Sequence, residues 1–350
     1  MNKFASFAYF LVAFFATVIT LSCLSYNYGI GAVSKNEDPI QFNIGPGSTY
    51  LTISSELEKS NLIRSEFFYK IYIKIFKPKS LQAGTYTLNK SLGVKGIVKV
   101  LESGQSKNPN ALRVTIPEGK QLEYVASVFA DKTNNTKEKL LKLWNSSEFI
   151  DKVINKYEFI TDDIKDSDIK YPLEGYFFPS TYEILNEDVD GEYIAYKMLD
   201  QMQLVLNEYK EDIKNSKYSI HELLTMASIV EYEAILDEDR PKIAGVFYNR
   251  LDYPMRLQSC ATLGYAIGVH KKQYTKVDIQ FASLYNTYYT DGFPPGPGGM
   301  PSKESIHAAI NPTKHDYLYF LANVHDKNDI KTYYSKTYDE HLAKKAQFGL

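Results

Sequence analysis

Residues 4–33 carry no charged side chain, and the stretch "FASFAYFLVAFFATVITLSCL" inside them is almost wholly apolar. About 20 apolar residues are enough for a helix to cross a bilayer. A secretory signal has an apolar core of only ~7–15 residues followed by a small-x-small cleavage site, and neither pattern fits here. Lys3 precedes the run, and the first charges after it are Lys35, Glu37 and Asp38. Lys3 favours a cytoplasmic N-terminus, which puts everything after Val33 outside the cytoplasmic membrane. The expectation is a retained single-pass anchor over residues 1–33. The competing reading is a cleaved signal, with lipoprotein processing at Cys23 as its specific variant. There "TLSC" has a small residue before the cysteine, but Thr20 stands where an aliphatic residue is expected.

The 350 residues suffice for two or three compact units. A net charge of −2 gives no reason to expect a nucleic-acid partner. Cys23 lies in the apolar run and Cys260 far downstream, so the two cannot staple one domain, and an exported domain must then rely on its core. The six histidines form no HxxxH pair and no Cys/His cluster has zinc spacing, so neither a metal nor another cofactor is expected. The 29 tyrosines reflect either genome base composition or exposed aromatics for carbohydrate.

After a polar linker, residues 34–118 read as a small α+β module. "IQFNIG" alternates as a strand, while "STYLTISSELEKSNLI" and "SEFFYKIYIKIF" have helical patterns. "LQAGTYTLN" is a strand, "VKGIVKVLESG" a helix stopped at Gly104, and "ALRVTIPEG" a further strand. Residues 119–185 are a charged helical connector ending in "YPLEGYFFPSTYEI", which reads either as plain core or, through Glu174 among its aromatics, as one wall of a sugar site. Residues 186–350 form the largest unit, also mixed α+β. It has helices at "LLTMASIVEYEAI", "RPKIAGVFYNRL" and "KESIHAAI", then a terminal hairpin and helix. The loop "SLYNTYYTDGFPPGPGGMPS" cannot be helix or central strand because of its prolines and glycines. Loops of that length inside a domain are usually functional or disordered, and the aromatics Tyr285, Tyr288, Tyr289 and Phe293 favour function here.

The first of these helices holds two glutamates, Glu231 and Glu233. Ser219 and Glu222 make a capping box that starts it. At about 100° per residue, Leu223, Leu224, Ala227, Val230, Ala234 and Ile235 fall on one side with Ile220, and Glu231 falls among them. Glu222 and Glu233 fall on the opposite side. Glu233 is then the solvated charge and Glu231 the anomaly, because a glutamate inside an apolar stripe is desolvated unless it is paired. Two outcomes are open: a proton donor with a raised pKa at a glycosidic bond, or a structural pair with a cation such as Arg250 or Arg256.

The segments "TIPEG", "LEGYFFPSTYEI", "ASIVEYEA", "RPKIAGVFYNRL", "MRLQS", "SLYNTY", "GFPPGP" and "YLYFLA" follow one another in an order that resembles the endolytic murein transglycosylase (YceG-like) family. The resemblance covers nearly the whole chain after residue 33, more loosely over residues 40–105, which resemble its LysM-like module. It implies a membrane-anchored enzyme that cuts peptidoglycan strands internally, between N-acetylmuramic acid (MurNAc) and N-acetylglucosamine (GlcNAc), and leaves 1,6-anhydro-MurNAc ends. It also suggests association with a peptidoglycan synthase. The glutamate of the family's SIVE segment maps onto Glu231. Gln258, Tyr285, Asn286 and Glu174 lie in family-like motifs as candidate sugar contacts, while Asn249 and Arg250 organise the helix neighbourhood. The chain departs from the family pattern at Cys260 and Ser180, where aspartates are usual, and at Met300, often an asparagine. Two other readings compete: a non-catalytic peptidoglycan-binding scaffold, and a hydrolase with Glu174 or Asp237 as second carboxylate.

Overall fold

The structure, a computed structural model, describes residues 3–45, 47–79, 81–104, 112–184, 186–271, 273–323 and 331–349, with side chains from residue 11 onward except at 323. The chain divides into two compact units, Met1–Leu112 with Ile184–Asn186, and Arg113–Glu183 with Glu187–Leu350.

The first unit opens with helix α1 (Lys3–Ile30), in which Leu11–Ile30 is long and apolar enough to cross a membrane. It continues as β1 (Ile40–Ile44), α2 (Ser54–Lys59), α3 (Glu66–Phe76), β2 (Gly84–Leu88) and α4 (Gly93–Glu102). β1 and β2 pair antiparallel with Phe42 opposite Tyr86 and Ile40 opposite Leu88. Alternation puts Phe42, Ile44, Tyr86 and Leu88 on the inner face, where Leu57, Tyr69, Tyr72 and Ile73 meet them. Val94, Ile97, Val98 and Leu101, spaced as one helical stripe, close the core from α4. Each fully buried aliphatic side chain there stabilises by about 1.5–3 kcal/mol.

The helical pattern of residues 48–63 yields only the short α2. Thr49 and Thr52 tie their side chains to each other's backbone (Thr49 N to Thr52 Oγ1 2.8 Å, Thr52 Oγ1 to Thr49 O 3.0 Å), which holds a turn in place of a helix start. Asn61, left-handed at φ 54, ends the segment.

The second unit runs β3 (Leu112–Thr115), α5 (Leu122–Lys132), α6 (Lys137–Trp144), α7 (Ser147–Lys156), β4 (Thr181–Ile184), α8 (Gly191–Asn207) and α9 (Lys210–Asn215). α10 (Ile220–Glu233), α11 (Arg240–Asp252), α12 (Cys260–Ile267), α13 (Lys276–Ile279) and α14 (Lys303–Ile310) come next. β5 (Tyr319–Asn323) and β6 (Lys331–Ser335) form the antiparallel terminal pair before α15 (Tyr338–Phe348); the expected polar turn between them, 324–330, lies outside the described residues. β3 pairs with β4. Residues 113–183 share a core with the remainder of the second unit: fully buried Trp144 donates to Gly191 O at 2.9 Å and meets Phe177 edge-on at 5.1 Å.

α10 starts at the expected capping box, with Ser219 N to Glu222 Oε2 at 2.7 Å and Glu222 N to Ser219 Oγ at 3.2 Å. It is not the one-sided amphipathic helix its period suggests, for every residue from Leu223 to Val230 is buried. α11, α12 and α14 all pack on it. Thr225, Met226 and Ile229 lie on the side where a wet face was expected, and they are buried as well.

Candidate active site

A helix buried on all sides makes its polar side chains informative, because each must find a partner. On α10 the polar groups His221, Ser228 and Glu231 hold one partner in common, the Pro/Gly-rich loop before α14. His221 Nε2 lies 2.8 Å from Pro295 O, Ser228 Oγ accepts from Gly298 N at 3.1 Å, and Glu231 Oε2 accepts from Ser302 N at 2.8 Å. The spacings of seven and three residues place these groups along one stripe. The loop is also stitched to the "TIPEG" segment: Gly119 N donates to Met300 O at 2.8 Å, and Met300 N to Lys120 O at 2.9 Å. Tyr232 OH donates to Gly119 O. Gly175, at φ +76, completes the seat, since a Cβ there would fall 2.3 Å from Pro297 Cβ.

Glu231 stands at the centre of this seat with its side chain only 8% exposed. Its cation is neither Arg250 nor Arg256 but Arg240, the first residue of α11, with Nη1 at 3.3 Å from Oε2. Arg240 is equally enclosed and reaches Asp237 Oδ1 (2.9 Å) and Ser305 Oγ (2.5 Å) as well. Arg250 instead donates to the carbonyls of Leu318 and Leu257, and Arg256 pairs with Asp291 at the surface. Asn249 Nδ2 bonds the carbonyls of His315 and Tyr317, so Asn249 and Arg250 do organise the helix neighbourhood. Glu118, of the "TIPEG" segment, is a second carboxyl group in the same electrostatic neighbourhood. Partial desolvation, then the negative charges of Glu231 and Glu304, push its pKa up against the pull of Arg240. No periodicity pointed to Glu118 or Arg240; the only signal was their place in "TIPEG" and "RPKIAG".

Glu233 is not the solvated charge that helix geometry predicted. Its carboxylate accepts from Ser259 Oγ at 2.6 Å and from Ala261 N at 3.4 Å, at the N-terminus of α12. Burial raises its pKa, and the Ser259 hydroxyl and the amides of Ala261 and Cys260 oppose the rise. The wheel failed here because the last turn of α10 is covered by α12, a segment remote in the helix's own period. This also locates Cys260: its Sγ lies 3.3 Å from Tyr288 OH and its amide faces Glu233, so the residue belongs to the Glu233 neighbourhood.

Beside Tyr232 lies a pocket lined by Ser228, Ile229, Thr262, Tyr265, Tyr285 and Pro294 among others. Of the candidate sugar contacts, Tyr285 stands on its wall, tilted against Tyr265 at 4.7 Å. Gln258 is exposed, in a left-handed conformation (φ 51), with its amide donating to Thr287 O at 3.1 Å. Asn286 is fully buried and spends its side chain on the loop, donating to Ile279 O and Phe281 O and accepting from Tyr288 N.

Glu174 is also buried, accepting from Leu122 N at 2.8 Å and Tyr265 OH at 3.2 Å. Burial pushes its carboxyl from the ordinary 4.5 up to about 8. The folded state therefore keeps this proton to higher pH than the unfolded chain does. The resulting stability is whole below about 4.5 and is lost as pH rises toward about 8. Glu174→Gln, which retains an acceptor without ionising, is expected to flatten the decline in Tm over that window. Melts at about pH 5 and about pH 8 check it, and parallel declines in the two proteins would overturn the reading.

The site thus defined joins a nearly buried, paired carboxylate to a stitched Pro/Gly loop and an aromatic pocket, and the chain that carries it is similar to known proteins. Residues 42–347 match the model of the YceG-like family, and the chain belongs to that family. A protein named endolytic murein transglycosylase from Bacillus subtilis (strain 168) is 38% identical over 310 residues, 88% of this chain and 84% of that one. One of the same name from Streptococcus pneumoniae (strain D39) is 34% identical, the match covering 95% of this chain and 64% of the pneumococcal protein. The crystal structure of a yceG-like protein from Listeria monocytogenes, 37% identical, superposes with a TM-score of 0.63 and covers 88% of this chain and 100% of that one.

Proposed function

We propose that the chain is a peptidoglycan lytic transglycosylase that cuts glycan strands internally at the MurNAc–GlcNAc bond and leaves 1,6-anhydro-MurNAc ends, with Glu231 as the catalytic acid and base. The observation that carries this is the placement of Glu231: an enclosed carboxylate in a "SIVEYEA" segment, aimed at an ordered Pro/Gly loop, in a chain 38% identical to a relative bearing that name.

Ser302 N and Arg240 both engage Oε2. That leaves Oε1 to carry the proton. Protonated Glu231 donates to the leaving glycosidic oxygen as the bond to the anomeric carbon breaks. The carboxylate so formed takes the proton from the muramyl 6-hydroxyl, which attacks its own anomeric carbon. Because that nucleophile is already part of the substrate, high effective molarity replaces a positioned water and its second carboxylate. Arg240 and Ser302 N hold the carboxylate in one orientation through both steps. Tyr285 and Gln258 are the proposed sugar contacts, and Tyr285 is the better supported because it lines the pocket beside Tyr232.

The proposal places the second unit outside the cytoplasmic membrane, with α1 as the retained anchor. The β-α-α-β order of the first unit supports its reading as a LysM-like glycan-binding module, and the partner suggested is a peptidoglycan synthase. The test is digestion of isolated sacculi by the purified full chain, followed by product mass. Fragments one water lighter than the reducing-end species are expected. Reducing ends would mean a hydrolase, and binding without fragments would mean a scaffold; either overturns the proposal.

A further inference from the structure

The helix α3 holds apolar side chains the fold does not use. Tyr69, Tyr72 and Ile73 face the module core. At about 100° per residue, Phe67, Ile71 and Ile75 form a separate stripe, and Phe67 and Ile75 are 66% and 63% exposed. Phe68 lies along one side of this stripe; Lys70 and Lys74 lie along the other. Soluble surfaces seldom leave such side chains contiguous without a use for them.

Phe68 is what ties the stripe to α1. A Cβ at Gly29 would fall 2.0 Å from Phe68 Cδ2, so the glycine lets the phenylalanine rest on the backbone of α1. Tyr26 meets Phe68 edge-on at 6.0 Å. Just before α3, Arg64 covers the Tyr28 ring at 4.2 Å and donates to Tyr28 O at 3.4 Å. All these contacts fall on the last turns of the stretch long enough to cross a membrane, Leu11–Ile30.

We propose that α3 lies in the headgroup layer of the bilayer crossed by α1, with the Phe67–Ile71–Ile75 stripe turned into the lipid and Lys70 and Lys74 toward anionic headgroups. A 20-residue helix matches the hydrocarbon thickness, so its final turn reaches the interface, and a helix packed on that turn stands at the same depth. Tyr26, Tyr28 and Phe67 are the residue types that settle there. An apolar stripe flanked by lysines is the pattern of a helix lying in the interface. The module is thereby held against the membrane surface instead of hanging from a free tether.

The inference rests on α1 being a retained anchor, and the test separates the two. Full-length Phe67→Trp is reconstituted into vesicles containing phosphatidylglycerol, with wild type as the background for buried Trp144. Lipids brominated near the headgroup are expected to quench the added emission at least about twofold, and Lys70→Glu/Lys74→Glu to weaken that quenching. Added emission that brominated lipid leaves unchanged and iodide quenches freely, in protein that resists alkaline carbonate extraction, overturns the interfacial placement while the anchor stands. Shielding from both quenchers means that protein, such as a second copy, covers the stripe, and also overturns it. Release by carbonate removes the anchor and the inference with it.

Discussion

Replacing Glu231 by glutamine is expected to lower glycan cleavage by roughly a thousandfold or more, the scale on which a single general acid–base group acts, while the protein stays folded. Glutamine keeps an oxygen for Ser302 N, whose bond to Oε2 is 2.8 Å, and nearly the same volume in a site only 8% exposed. The measurement is release of anhydro-ended fragments from sacculi, beside a thermal melt showing the variant intact. Activity within about tenfold of wild type would remove Glu231 from the chemistry and leave it a structural ion pair.

The second large effect belongs to Arg240. Its guanidinium and the Glu231 carboxylate are 9% and 8% exposed, so each is the other's compensation in a site with little water. Truncating one partner of a buried pair leaves a lone charge and costs about 3–5 kcal/mol. Arg240→Met is therefore expected to lower Tm sharply. Arg240→Met combined with Glu231→Gln is expected to recover about 1 kcal/mol or more of that loss, because the stranded charge is then gone. The bonds from Arg240 to Asp237 and Ser305 are lost in both backgrounds and cancel in the cycle. Strict additivity in denaturant melts would mean that the two groups do not sense each other. A cleavage assay separates the roles further: the single Arg240 variant should lose activity even at temperatures where it is folded, since Ser302 N is then left to orient the acid without the guanidinium.

Much of the second unit was readable from short-range patterns, for physical reasons specific to each. The capping box at Ser219 and Glu222 is a local bond pair. The helices at 240–252 and 303–310 carry their own start signals, a proline in the first turn of one and a serine cap on the other. The Pro/Gly loop is irregular because its residues cannot donate to a ladder or hold helical angles. Residues 48–63 were misread because threonine side chains captured the backbone before a helix could form. The charged connector was read apart from its neighbours, yet the Trp144–Gly191 contact joins segments 47 residues apart.

The contrast between the two glutamates shows where the limit lies. Sequence alone determined that Glu231 would be enclosed, since a period of about 100° per residue is a property of the helix itself. Through the order of its motifs it also determined the family. It did not determine which cation would face Glu231, that Glu233 would be capped by another helix, that Glu174 and Asn286 would be occupied by protein, or that Glu118 would come near. Those contacts join residues tens of positions apart, and only the tertiary fold brings them within hydrogen-bonding or Coulombic reach. Burial and partner choice depend on what covers a helix, and no helix encodes its own cover.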